Sequence, residues 1–171
     1  MKSISFELST SSIDRAIKEL KKYQESLNER IEEFVRVLAN DGVVVARAQL
    51  GTLEGDSSDA SLGVQVNADG DIVKAVIFLQ GKDVLFVEFG SGIYYNNGNA
   101  HPMAAELGYG VGTYPSEHPP NRAINPGYWW YKDQGGNLRL SLGTKGVRPI
   151  YEAAQNIRNT AIMKAISVFK G

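Results

Sequence analysis

The chain has two histidines, and both lie in one Gly- and Pro-rich segment together with two glutamates. His101 and His118 each precede a proline, and Glu106 and Glu117 lie close to them. Imidazole and carboxylate groups are common metal ligands, but neither this spacing nor an i, i+4 pairing on a helix matches a known ligand pattern. The sequence therefore predicts no metal site and favours solvated loop histidines.

A Gly-rich stretch at residues 108–112, Gly-Tyr-Gly-Val-Gly, superficially resembles a phosphate-binding loop. Such a loop requires a strand before it and a helix N-terminus after it, because the helix supplies the N–H groups that hold the phosphate. Here Pro115 follows instead. We therefore predict no nucleotide and no other cofactor.

Carboxylates and tryptophans together are typical of sites that cleave sugars. Glu88, with Glu117 or Asp133, could converge near Trp129 and Trp130, which could stack on a sugar ring. A glutamate in an apolar run is more often paired with an arginine than catalytic, and no Ser-His-Asp or Cys-His signature is present. The sequence therefore predicts a protein that is not an enzyme.

Composition narrows the classes of partner. The 171 residues suggest one domain, and the absence of cysteine excludes disulfides and thiolate chemistry. With 18 Lys+Arg against 19 Asp+Glu, no overall charge favours nucleic acid, so we expect no sequence-specific binding to it. No window approaches the length of a membrane span and the N-terminus lacks the apolar run of a signal peptide, so we expect a soluble, unprocessed chain without a membrane partner.

Apolar spacing and turn signals predict an α+β fold, with an antiparallel sheet of about four to five strands packed against a long N-terminal helix and a C-terminal helix. Within one domain over 1–171, the predicted elements are a long helix (12–39), a hairpin and third strand (61–89), a long loop (90–127), a second hairpin (128–142) and a C-terminal helix (149–169). Asn40-Asp41-Gly42 is a plausible helix stop, and residues 43–50 fit either further helix or a buried strand. The run 72–79 is apolar on both faces, which favours a strand inside the sheet.

The predicted long helix carries one apolar stripe with alternating steps of four and three residues. The stripe consists of Ile13, Ile17, Leu20, Leu27, Ile31, Phe34 and Leu38, and polar Gln24 interrupts it at one position. A helix of this length extends about 42 Å, more than a small domain usually needs. Two interpretations stay open: part of the stripe meets another subunit, or most of it packs on the sheet of its own chain.

Aromatic residues flank the long predicted loop. Residues 86–92, Phe-Val-Glu-Phe-Gly-Ser-Gly, lead into it, and Trp129-Trp130-Tyr131 follow it. Adjacent strand residues face opposite sides, so we expect one tryptophan to enter the core and the other to be exposed as an anchor for a partner. The alternative is a ligand- or carbohydrate-binding module that uses the Trp129/Trp130 cluster.

Three motifs in this order resemble a known family. Residues 86–92, then Trp-Trp-Tyr-Lys-Asp at 129–133, then Gly-Thr-Lys-Gly-Val-Arg-Pro at 143–149 before a helix with Ala153-Ala154, are similar to the neck or tail-completion (head-tail joining) proteins of long-tailed bacteriophages. The resemblance covers the C-terminal half well and the N-terminal half only as a long helix, a loop and a hairpin. The Pro-x-x-Thr-Gly-x-Leu segment usual in the family has only a loose counterpart at 48–53.

The resemblance implies a small virion structural protein of the tail or neck, without catalytic activity, that joins the head or connector to the tail tube. Its partners would be copies of itself in a ring such as a hexamer, with a monomer compatible before assembly, and other tail or connector proteins. It would be found in the virion and, during assembly, in the bacterial host cytoplasm.

The residues that the motifs carry are predicted to form interfaces or to shape the structure. Gly90 and Gly92 would let the chain turn sharply, Arg148 would pair with a carboxylate such as Glu88 or with a neighbouring subunit, and Pro149 would start the last helix. The full predicted set is Glu88, Phe89, Gly90, Gly92, Trp129, Trp130, Tyr131, Arg148 and Pro149.

Overall fold

Two long helices and two β-hairpins form most of the structure, a computed structural model that describes residues 7, 9–53, 60–70, 72–81, 83–91, 101–107, 129–133 and 135–170. In chain order the elements are α1 (Thr10–Leu50), β1 (Ser61–Asp69), β2 (Ile72–Gln80), α2 (Val84–Phe89), α3 (Ala104–Leu107), β3 (Trp129–Lys132), β4 (Leu138–Ser141) and α4 (Pro149–Lys170). The architecture is α+β. Gly92, the stretch 108–112, Glu117 and His118, and with them most of the predicted loop, lie outside the described residues.

The prediction of one antiparallel sheet with four to five strands is wrong. Among the described residues, β1 pairs only with β2, from Ser61 opposite Gln80 to Asp69 opposite Ile72. The strands β3 and β4 form a separate two-stranded sheet, in which Trp130 lies opposite Leu140. The stretch expected as a third strand is the short helix α2, so it adds nothing to either sheet.

The strand β2 is covered on one face only and belongs to a two-stranded ribbon, which corrects the prediction of a strand inside a larger sheet. Val73, Ala75 and Ile77 are half-buried, whereas Ile72 and Val76 are exposed. On the covered side Ile77 reaches α1, and on the other side the Phe78 ring lies over Gly63 of β1, a residue without a side chain of its own. A two-stranded ribbon packed on one helix leaves its second face open.

The helix α1 runs through the expected stop at Asn40-Asp41-Gly42 and ends at Leu50, so residues 43–50 are helical. Gly42 is buried, and a Cβ added there would lie 2.5 Å from Cδ1 of Ile77 and 2.8 Å from Cδ1 of Ile157. The missing side chain therefore makes room for β2 and α4 to meet α1 at one point. At 1.5 Å per residue, the 41 residues of α1 extend about 61 Å.

The helix α4 packs antiparallel along the C-terminal half of α1. Lys164 forms an ion pair of 2.6 Å with Asp41, and Arg30 donates a hydrogen bond of 3.1 Å to the carbonyl oxygen of Phe169. The C-terminal end of α4 therefore lies beside Arg30, and the first twenty residues of α1 extend past it. None of the described helices has the length and apolar character needed to cross a bilayer.

The apolar side chains that are almost fully buried among the described residues are mostly small, since five of these nine are alanines: Ala16, Ala39, Ala46, Val87, Phe89, Ala104, Val147, Pro149 and Ala153. Large apolar side chains are exposed instead on α1, β2, β4 and α4, among them Leu20, Ile72, Leu138 and Ile162. Packing within the chain therefore leaves much of its large apolar surface uncovered.

Candidate functional site: a buried carboxylate at the start of α4, and exposed apolar surfaces

Two of the motifs that are far apart in sequence lie side by side in the structure. Just after α2, the N–H of Ser91 donates to the carbonyl of Thr144 at 2.9 Å, and the N–H of Val147 donates to the carbonyl of Val87, also at 2.9 Å. A second contact at the same place joins the N–H of Thr144 to the Ser91 hydroxyl at 3.0 Å. Residues 87–91 and 144–147 are thus bound backbone to backbone.

Glycines allow this close approach. Gly90 ends α2 with φ 80°, a left-handed conformation that favours glycine, and it turns the chain toward the 144–147 segment. Gly146 faces it: a Cβ there would lie 2.8 Å from the nitrogen of Gly90 and 2.8 Å from the carbonyl carbon of Phe89. Because both of these are backbone atoms, no side-chain rotation could make room for it.

Glu88 caps the N-terminus of α4. Its Oε2 accepts the N–H of Ile150 at 2.9 Å and its Oε1 accepts the N–H of Tyr151 at 2.8 Å. Pro149 is the first helical residue and has no N–H, so these are the first two donors that the helix presents. The residue is only 8% exposed, and the positive end of the helix dipole favours its negative charge.

His101 lies against the same carboxylate and is 6% exposed, which makes the predicted solvated loop histidine wrong. Its Nε2 is 3.3 Å from Oε1 of Glu88, and its Nδ1 accepts the N–H of Met103 at 3.0 Å. Since an accepting Nδ1 carries no proton, the hydrogen bonds fit the neutral tautomer that donates from Nε2. The ring packs edge-on to Phe89 and Tyr151, with centroid distances of 4.5 and 4.9 Å.

Arg148 pairs with a carboxylate of its own chain, but this is Glu152 and not Glu88, the example suggested from the sequence. Its guanidinium is 2.9 Å from the Glu152 carboxylate, one turn along α4, and lies over the Tyr151 ring at 5.8 Å. The backbone at Arg148 has φ 55°, the single left-handed non-glycine residue in the described part of the chain. This turn aims the N–H groups of α4 at Glu88.

This cluster joins α2, the segment that begins at His101 and the start of α4. Both Glu88 oxygens accept hydrogen bonds from the backbone of α4, and both His101 nitrogens have partners. Among the described residues no group of three or more potential ligands could hold a metal ion. His101 was missed because it is separated from Glu88 by a segment without apolar periodicity, and no local signal marks it as buried.

The β3–β4 hairpin carries the other predicted cluster. Trp130 is 56% exposed, and Leu140, directly opposite it, is exposed as well. Leu138 lies two residues before Leu140 on the same face of β4 and is also exposed. Trp129 and Tyr131 belong to β3 by their backbone. Trp130, Leu138 and Leu140 therefore form one apolar patch, called here the hairpin patch, and exposed Lys132 lies opposite Leu138 at its edge.

The turn of this hairpin is organised by Asp133. One carboxylate oxygen accepts the N–H groups of Gly135 and Asn137, each at 2.9 Å, and the other is 3.1 Å from Nε of Arg139. The hydrogen bond from the Asn137 backbone, followed by that from Arg139, holds the pKa of Asp133 below its usual value. The charged carboxylate thus fixes the position from which β4 returns.

The free half of α1 presents a third apolar surface. Ile13, Ile17, Leu20 and Leu27 are all exposed, Leu20 to 55%, although Ser12 and Ala16 in the same half are buried. Further along the same stripe Ile31, Phe34 and Leu38 are half-buried, in the half of α1 along which α4 packs. The stripe therefore continues from a covered half into an open one.

Comparisons of the chain with protein-family models, with curated proteins and with solved structures find no match.

Proposed function

We propose that the chain is a structural protein of a bacteriophage virion, a tail-completion or head-tail connector (neck) component that acts through contacts with copies of itself and with other tail or connector proteins. The observation that carries the proposal is the amount of large apolar surface left open on separate elements, beside a core made mostly of alanine. Exposed apolar patches of this kind mark sites of protein–protein interaction.

The position of the motifs supports the same proposal. The motifs at 86–92, as far as Ser91, and at 143–149 carry the resemblance to tail-completion proteins. They meet where Glu88 caps α4 and Gly146 lies against the Phe89-Gly90 backbone. Residues so placed set the orientation of α4, whose outer face exposes Ile162 and Met163. We infer that the motifs fix the position of α4 within the fold, while the exposed apolar residues contact partners on the particle.

The test is particle assembly in a phage or prophage that carries the chain. With the gene inactivated, we expect electron microscopy to show filled heads and tails that fail to join, and wild-type protein supplied in trans to restore joined particles. The variant Trp130→Ser should restore fewer, because it removes the centre of the hairpin patch. Lys145→Ser, an exposed residue outside that patch, serves as the matched control. Normal joined particles in the absence of the chain would overturn the proposal.

A second function is a ligand- or carbohydrate-binding module centred on Trp130, and the exposure of that indole favours it. Its neighbours on the same face are the apolar Leu138 and Leu140, and Lys132, which could donate to a sugar hydroxyl. The two leucines favour a protein partner. Titration of the protein with a panel of oligosaccharides, followed by tryptophan fluorescence, distinguishes the two functions. Saturable quenching that Trp130→Ser abolishes would support the binding module.

A further inference from the structure

The apolar stripe of α1 follows the heptad spacing of a coiled coil. Counting in heptads, Ile17, Gln24 and Ile31 occupy a positions, and Ile13, Leu20, Leu27 and Phe34 occupy d positions. The steps of three and four continue from the free half of α1 into the half covered by α4, and only at Gln24 is the residue polar. We call the free part, Ile13 to Leu27, the seam.

The covered half shows which kind of element this stripe accepts. There the partner is a helix, α4, and its C-terminal end is marked by the hydrogen bond from Arg30 to the Phe169 carbonyl. Beyond that point about 30 Å of α1 has no other described helix beside it, and Ile17 and Leu20 are 46% and 55% exposed. Among the described helices, none is left to continue the same packing along this part of α1.

We propose that the seam binds the same segment of a second copy of this chain, as a short two-stranded coiled coil. The inference rests on the proposed function in so far as that function requires copies to associate, and it names the surface by which two of them do so. Continuity with the α1–α4 packing identifies the occupant as a helix, and a 3.5-residue repeat keeps the seam facing a partner helix along its whole length.

The sequence of the seam suits pairing with itself. A β-branched residue at a, such as Ile17, with leucine at d, as at Leu20 and Leu27, favours two strands over three or four. Residues 10–30 carry five basic and four acidic side chains, so two copies meet without net repulsion. Gln24 is the single polar residue at an a position, and such a residue lowers stability while restricting register.

The seam is short, so we expect self-association of the chain to be weak. Two heptads lie below the length at which helical pairs are stable by themselves, and small interfaces belong to the weak and transient class. We therefore expect a chain that is mainly monomeric at about 1 μM and increasingly dimeric toward about 500 μM. On a growing particle, where copies are held near one another, the same contact would be strengthened by effective concentration.

The first experiment is sedimentation equilibrium of the full chain over that concentration range. Leu20→Glu places a charge at the middle of the seam, so we expect it to weaken self-association tenfold or more. Lys22→Glu, on the opposite side of the helix, should leave self-association unchanged. Leu20 lies outside the stretch covered by α4, so circular dichroism should show equal helix content for all three proteins. A wild-type chain that stays monomeric, or equal association by Leu20→Glu, would overturn the proposal.

The second experiment uses the absence of native cysteine. In the Leu20→Cys chain each thiol lies at the midpoint of the seam, within about one helical turn of its counterpart in either orientation of the two helices. Oxidation should therefore give a disulfide-linked dimer, whereas Lys22→Cys should give little. Equal yields from both variants would contradict the seam as the contact.

The two proposals fail separately. If residue 20 cross-links but particles join without the chain, the virion function is wrong and the seam contact stands. If Leu20→Glu associates like the wild type while joining still requires Trp130, the seam contact is wrong and the virion function stands.

Discussion

Replacing Glu88 by glutamine tests the central contact of the fold with almost no change in side-chain volume. In the wild type, two carboxylate oxygens accept the N–H groups of Ile150 and Tyr151 at 2.9 and 2.8 Å. A glutamine has one carbonyl oxygen, so its NH2 group must face one of these N–H donors or turn away from both. Either way, one buried donor at the start of α4 loses its acceptor.

The magnitude follows from these contacts. A buried donor left without an acceptor costs about 1–3 kcal/mol, and loss of a negative charge from a partly buried helix N-terminus costs about 0.5–2 kcal/mol more. Because the terms overlap, we expect Glu88→Gln to lower the free energy of unfolding by about 2–4 kcal/mol. For a chain of this length that corresponds to a fall in Tm of roughly 4–16 °C.

The assay is thermal unfolding followed by circular dichroism, with hydrogen exchange as a local readout. Glu32→Gln is the matched control, since Glu32 forms an exposed i, i+4 pair with Arg36 that contributes about 0.3–0.5 kcal/mol, or about 1–2 °C. The amides of Ile150 and Tyr151 should exchange faster only in Glu88→Gln. The reasoning is refuted if the two variants melt within about 2 °C of each other and those amides keep their protection.

Two further predictions concern glycine packing and pH. Gly146→Ala should lower the free energy of unfolding by about 1–3 kcal/mol, because the added Cβ meets backbone atoms. Gly42→Ala should change it less, since there the Cβ meets the ends of isoleucine side chains and the helix gains about 1 kcal/mol of propensity. Chemical unfolding measures both variants, and equal losses would contradict the distinction. The lowered pKa of Asp133 means that its contacts stabilise the folded hairpin above the unfolded pKa near 3.9 and are lost as pH falls through the folded value. NMR signals of the Gly135 and Asn137 amides should therefore move together on acidification with a midpoint below 3.9, and Asp133→Asn should abolish that transition; a midpoint at or above 3.9 would contradict it.

The two long helices and the β1–β2 hairpin could be predicted from the sequence because their signals are local. The stripe from Ile13 to Leu38 repeats over many turns, Pro149 marks the start of α4, and Asp69-Gly70 lies where the hairpin turns. The extension of α1 past Gly42 could not be predicted in this way. Asn, Asp and Gly have poor helix propensity, but the packing of Ile77 and Ile157 on Gly42 requires the helix to continue, and tertiary contacts outweigh propensity.

The error at α2 has a similar cause. Val and Phe favour strands by at most about 1 kcal/mol, and that preference depends on having a strand to pair with. In the structure the stretch Val84–Phe89 instead buries Val87, Glu88 and Phe89 against segments more than ten residues away in sequence. A single sequence gives no measure of such distant contacts, which is also why His101 was predicted to be solvated when it is buried. The exposure of one tryptophan, here Trp130, could be predicted, because side chains alternate along a strand and one of Trp129 and Trp130 can face outward.

The contacts that determine the fold are separate from the surfaces open to partners. Three contacts with distant segments hold α4 in place. Glu88 binds its start, Arg30 binds its end, and Lys164 between them forms an ion pair with Asp41. The seam and the hairpin patch take no part in these contacts. Substitutions at Leu20 or Trp130 should therefore change association while leaving the melting temperature nearly unaltered, whereas Glu88→Gln should lower the melting temperature first and association only as a consequence. If the exposed apolar residues instead belonged to a poorly packed core, a charged residue in place of Leu20 would unfold the chain. Measuring self-association and melting temperature on the same variants therefore distinguishes an assembly surface from an imperfectly packed fold.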